Sequence, residues 1–189
     1  MRLLAVLATA GALIGSQAQA GPLFDAFRGA CVATAGTLEG VETQAKTAGW
    51  MPMPDAMLEQ ASRRFNPKAA RGWLKTDQQA LTMLLWAKAE IPNARQLGDM
   101  RMCAVASMPG DATAAADMQT WAAVPARPEF KMKDGAAYVF RDEATGRVAL
   151  PEKASEKESR DFFSTPGATL AMTQTQAQMT MLALFTPDK

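Results

Sequence analysis

The chain has 189 residues, with 20 basic and 19 acidic side chains, a formal charge of +1 and no histidine. That balance gives no electrostatic reason to expect nucleic acid or an anionic membrane surface as a partner. The missing imidazole removes Ser-His-Asp and Cys-His catalysis and the zinc sites built on histidine.

Residues 1–20 have the layout of a secretory signal peptide. Arg2 gives a short basic start, Leu3 to about Gly15 is apolar, and "SQAQA" ends on small residues at Ala18 and Ala20. The expected cut follows Ala20. The apolar run falls short of the roughly 20 residues that span a bilayer, and no later segment reaches that length without charge. No transmembrane segment is therefore expected after cleavage, and 21–189 is expected to form a single α+β domain that is periplasmic or secreted.

In chain order, "FDAFRGACVATAG" predicts a first helix from about Pro22 to Ala35, with Phe24, Phe27, Ala30 and Cys31 on one face. Thr37 is placed to cap a second helix through Ala48, closed by Gly49, so that the two make a helical hairpin. "MPMPD" breaks the chain, and Asp55 begins a short third helix with Met57, Leu58 and Ala61. "GWLKT" and "ALTMLLWAKAEI" read as a strand hairpin, and "MRMCAVAS" as a further strand. Asp111 is the expected N-cap of an alanine-rich helix through Ala123. "AAYVFRD" and "RVAL" form a second hairpin around "EATG", "SEKE" at Ser155 has capping-box form before a short helix with Phe162 and Phe163, and "ATLAMTQT" with "MTMLALF" makes a third hairpin. The order predicts an α+β fold: the N-terminal helical hairpin on one face of an antiparallel sheet of about five to seven strands, with further helices between hairpins.

An oxidising compartment favours pairing of an even cysteine count, so Cys31 and Cys103 are expected to form a disulfide that pins the first helix to a strand. A reactive thiol would need an adjacent histidine, a C-x-x-C partner or a close cation, and Arg28 and Arg101 are the only nearby cations. No G-x-S-x-G, Walker A or G-x-G-x-x-G string is present. Glu152, Glu156, Glu158 and Asp161 could flank a glycosidic bond, but they alternate with Lys153, Lys157 and Arg160 as a solvated helix face does. Ser107 and Ser164 could enter a Ser-Lys arrangement, for which no S-x-x-K string exists.

Thirteen methionines are the compositional excess. Met51 with Met53, Met100 with Met102, and Met179 with Met181 are spaced by two, which puts both sulfurs of a pair on one side of an extended strand. Thioethers are soft ligands for Cu(I), so these pairs are the candidate metal ligands; the competing role is gap-filling in a core. Trp73 and Trp86 face each other in the predicted first hairpin and are the candidate binding patch, while Trp50 and Trp121 are expected anchors of the core.

An exported chain with a cysteine, "AGW" some 18 residues later, a "GWLK" hairpin, a second cysteine in a strand, a helix ending in W-x-x-V-P and a "YVFRD" hairpin resembles small secreted proteins of unassigned function from Gram-negative bacteria. The resemblance implies a shared fold and disulfide and transfers no activity or cofactor. The combined expectation is a non-enzymatic periplasmic binding or accessory protein for a protein or envelope component. A Cu(I)-binding protein is the alternative, and an enzyme using carboxylates or a serine the third reading.

Overall fold

The computed structural model describes residues 20–63, 67–77, 80–90, 98–130 and 134–188. Apart from Ala20, the expected signal peptide lies outside the described residues.

Pro22 suits the first turn of a helix, where its missing N–H costs nothing, and α1 runs over Pro22–Phe27. The predicted continuation to Ala35 is not α-helical. Arg28–Val32 widens into a π-helical turn, with Ala33 N–H donating to Arg28 O at 2.9 Å and Gly36 N–H to Cys31 O at 3.0 Å. Ala30 and Cys31 on this turn are buried. The second helix, α2, spans Leu38–Thr47 and ends as expected at Gly49, whose φ is +73°. Its N–H donates to Lys46 O and that of Trp50 to Ala45 O, the paired bonds that satisfy the last carbonyls of a helix. Thr37 does not cap this helix with its side chain; its hydroxyl donates to Thr34 O.

Among the described residues eight strands follow: β1 (Met51–Pro52), β2 (Ala69–Thr76), β3 (Leu81–Glu90), β4 (Asp99–Met108), β5 (Gly135–Glu143), β6 (Gly146–Ala149), β7 (Ala168–Gln176) and β8 (Met179–Pro187). Three helices interrupt them: α3 (Asp55–Ser62), α4 (Ala114–Ala122) and α5 (Glu156–Ser164). The strands form one open sheet in the order β1-β2-β3-β4-β8-β7-β5-β6, antiparallel at every pairing. The predicted α+β class and antiparallel sheet therefore hold. The strand number exceeds the expected range because Met51 and Pro52, read as a break, pair with Leu74 and Trp73. Both edge strands are short, which limits the unpaired backbone offered to another chain.

The last strand enters the middle of the sheet, beside β4. Both strands are buried on their two faces, so the sheet is not covered on one face alone as the sequence suggested. Trp73, Leu84, Trp86, Cys103, Val105, Tyr138 and Phe140 face α1, the π turn, α2 and α4 in the first core cluster. Met100, Met102, Ala104, Val139, Leu170 and Phe185 form the second, with Phe162 and Phe163 of α5 and Leu58 of α3 against it. Complete burial of one such side chain favours folding by roughly 1.5–3 kcal/mol, so the central strands contribute to both clusters.

Among the described residues, no helix is long and apolar enough to cross a membrane.

Candidate functional site

The Cys31–Cys103 disulfide is present, with its Cα atoms 5.4 Å apart. It ties the π turn to the central strand and so fixes the positions of Val32 and Ala35. Those residues form one wall of a cavity of about 360 Å³ on the same face of the sheet.

Trp121 of α4, Phe140 of β5 and Leu184 of β8 supply the apolar lining. Trp121 meets Phe140 edge to face, with ring centroids 5.5 Å apart. Arg147 holds the pair in place. Its guanidinium lies 3.9 Å from the Phe140 centroid and 4.9 Å from that of Trp121. The same group donates to the carbonyls of Trp121 and Ala122 at the C-terminus of α4, where a cation also opposes the negative end of the helix dipole. Asp142, another lining residue, accepts from Arg147 Nε at 2.7 Å and from Nη2 at 3.2 Å.

The polar lining includes Arg101 and Thr186, directly opposite each other on β4 and β8. Arg101 Nη2 donates to Pro187 O at 3.2 Å, but its Nε is buried without a hydrogen-bond partner, 3.8 Å from the nearer Asp188 oxygen. Thr186 Oγ1 is also buried and unpartnered. Among the described residues only one further buried side-chain polar atom lacks a partner, Ser107 Oγ, and Ser107 does not line this cavity. Buried polar groups are ordinarily paired, so these two atoms, both closed off from solvent, are exceptions beneath the cavity wall.

The sequence candidates are distributed differently. Trp73 and Trp86 are diagonal, Trp73 facing Leu84 and Trp86 facing Arg71, and both are buried beneath the helices. Among the described residues, the two indoles of the candidate binding patch therefore belong to the core rather than to an exposed surface. The three Met-x-Met pairs do not converge. Met100 and Met102 are each 1% exposed in the second core, Met53 is buried beside Gly72, and Met51 stands exposed on the edge strand. Met179 and Met181 are half-buried on the sheet. In register across β4 from Met181 lies Met83, with Ala106 between them, and Met172 pairs with Ala183 on the same face two residues away. This gathering crosses strands, so spacing along the chain did not reveal it.

The carboxylate group on α5 is a solvated helix face. Glu158 closes a capping box with Ser155, and Lys157 pairs with Asp161 at 3.5 Å. Ser164 donates to Asp161 O at 2.7 Å, and Ser107 is buried. Among the described residues no group of three or more acidic, cysteine or histidine side chains is placed to hold a metal ion. Arg101 and Thr186 were missed as site residues because neither carries a motif; only their cross-strand pairing joins them. Compared with protein-family models, curated proteins and solved structures, the chain matches none.

Proposed function

We propose that this chain is an exported, non-enzymatic binding or accessory protein of the cell envelope, periplasmic or secreted, in the manner of the small Gram-negative proteins that it resembles. Its cavity takes a small molecule with an apolar body and a carboxylate or carbonyl oxygen. The observation that carries the reading is the Arg101 side chain, a cation 24% exposed among the residues that line that cavity. A carboxylate oxygen accepts from the exposed part of this guanidinium, and a charge-assisted bond to guanidinium is the stronger kind. Trp121, Phe140 and Leu184 suit the apolar part, and the volume matches the lower end of small-ligand sites. Export is supported by the leader layout and by the disulfide, a bond that persists in oxidising compartments.

Phenylacetate and benzylamine, which share a ring and differ in charge, test this. Titrated into isotope-labelled protein, phenylacetate should shift the Arg101 guanidinium and Trp121 indole resonances saturably, and Arg101→Gln should weaken the Trp121 response. Equal responses to both compounds, or none to phenylacetate, would reject the carboxylate site.

A second reading, soft-metal binding, rests on the cross-strand group of Met83, Met172, Met179 and Met181 rather than on the Met-x-Met pairs. Thioethers left half-buried on a sheet are not fully accounted for by core filling, and their softness suits Cu(I).

A further inference from the structure

At the start of α1 the chain rests on two carboxylates. The backbone nitrogen of Gly21 lies 2.9 Å from Asp117 Oδ2, and the N–H of Leu23 donates to Asp111 Oδ2 at 3.2 Å. Thr113 Oγ1 sits between the acids, 2.9 Å from Asp111 Oδ1 and 3.0 Å from Asp117 Oδ2. A hydroxyl has one proton, so it can donate to only one of the two at a time. No cation pairs with either acid among the described residues.

A side chain at residue 21 would also crowd the seat and make Thr113 and Asp111 shift. A Cβ at residue 21 would stand 2.2 Å from Thr113 Oγ1 and 2.6 Å from Asp111 Oδ2. As an internal amide, Gly21 offers this doubly negative place one N–H and no charge. The position is also the one that the signal-peptide pattern singles out independently, since small residues at 18 and 20 put the cut between Ala20 and Gly21.

We infer that Asp117 and Asp111 form a receiving site for the α-ammonium that cleavage after Ala20 creates on Gly21, so that removal of the leader locks α1 onto α4. The inference rests on the export reading. In the cleavage, a leader peptidase adds one water across the Ala20–Gly21 amide. The hydroxyl goes to the Ala20 carbonyl carbon, which leaves as a carboxylic acid, and a proton goes to the Gly21 nitrogen. That amine takes a second proton from solvent at neutral pH. The three N–H donors and the positive charge then answer the two carboxylates and the Thr113 lone pair. An α-ammonium in contact with carboxylates on a second element adds a charged contact that the unprocessed chain lacks, and an acyl group on that nitrogen would remove the charge.

The test begins with the full chain expressed with its own leader in a Gram-negative host and recovered from the envelope fraction. Its first residue, read by N-terminal sequencing, should be Gly21; a start elsewhere would overturn the processing step. Selective acetylation of the α-amine should then lower the thermal midpoint by about 4 °C, the size of a 1 kcal/mol loss in a domain of this class. In Asp117→Asn the same acetylation should have a much smaller effect, because the two changes remove one interaction. Equal midpoints before and after acetylation in protein that does begin at Gly21 would overturn the receiving site while leaving export intact. An equal acetylation effect in wild type and Asp117→Asn would overturn it in the same way.

Discussion

The indole N–H of Trp86 donates to the carbonyl oxygen of Gly36 at 2.9 Å in a buried setting, joining β3 to the loop between the π turn and α2. Gly36 has a φ of +63°, so the turn that presents this carbonyl favours glycine. Trp86→Phe keeps most of the apolar ring and strands the acceptor. The expected cost is about 1–3 kcal/mol. Urea denaturation should show a lower midpoint with an unchanged slope; a changed slope would instead mean that the variant alters the compactness of one end state.

Cys31 and Cys103 enclose a separation of 72 residues, and cross-linking a loop of that order restricts the unfolded chain by roughly 4 kcal/mol in the chain-entropy account. Cys31→Ser and Cys103→Ser should each lower the thermal midpoint to a similar degree. The double variant should be no less stable than either single one, because either change already breaks the bond. Additive losses in calorimetry would show that the two residues act separately.

The helices, the hairpins and the disulfide were legible because each depends on local pattern or on cysteine count. Gly49 closes α2, Ser155 and Glu158 begin α5, and Cys31 pairs with Cys103. What the sequence hid depends on strand order. Inserting β8 beside β4 puts Thr186 opposite Arg101 and Met181 in line with Met83, and no spacing along the chain encodes either relation. Asp111 was read as the cap of α4. It lies three residues before that helix and instead accepts from Leu23, 88 positions earlier in the chain. Trp73 and Trp86 looked amphipathic in a hairpin considered alone, but α1 and α2 return to cover them.

Arg127 is buried, and its guanidinium donates to the carbonyls of Leu150, Pro151 and Glu152 at 2.5, 2.8 and 3.3 Å. Its own N–H donates to Ala137 O at 2.8 Å, so one residue fastens the connection after β6 to the start of β5. A lysine offers a point charge in place of a planar fork and cannot serve the three acceptors with the same geometry. Arg127→Lys should cost about 1–3 kcal/mol, and Arg127→Met more, since the carbonyls are then left without a donor. Hydrogen exchange should speed up first at Leu150, whose amide bonds Val139 O.

Glu158 is held below its usual value of 4.5, first by the backbone N–H of Ser155 and then by the Ser155 hydroxyl. A carboxyl whose folded pKa lies below its unfolded one stabilises the fold above the unfolded value and loses that contribution as pH falls through the folded value. The capping box of α5 should therefore be intact at neutral pH and open only as pH falls through the lowered value of Glu158. A carbon-detected NMR titration should place the Glu158 midpoint below 4.5, and Ser155→Ala should raise it toward that value. Identical midpoints in the two proteins would show that the Ser155 hydroxyl does not hold the carboxylate.

The soft-metal reading makes a demand that core filling does not. Ala106 is 8% exposed, and its in-register neighbours across the adjacent strands are Met83 and Met181. The two methionines therefore flank this methyl group from β3 and β8 on one face of the sheet. Adjacent strands are about 4.8 Å apart, and methionine has three rotatable side-chain bonds, so two or three sulfurs can share one ion above Ala106. Under ascorbate, one equivalent of Cu(I) should bind in competition with a chromogenic chelator, and Met181→Leu should weaken that binding at least tenfold. Met118→Leu, a change in the fully buried core on the opposite face, should leave it unaltered. If the chelator removes all of the metal, or if Met118→Leu weakens binding as much as Met181→Leu, then the methionines of this face serve packing alone.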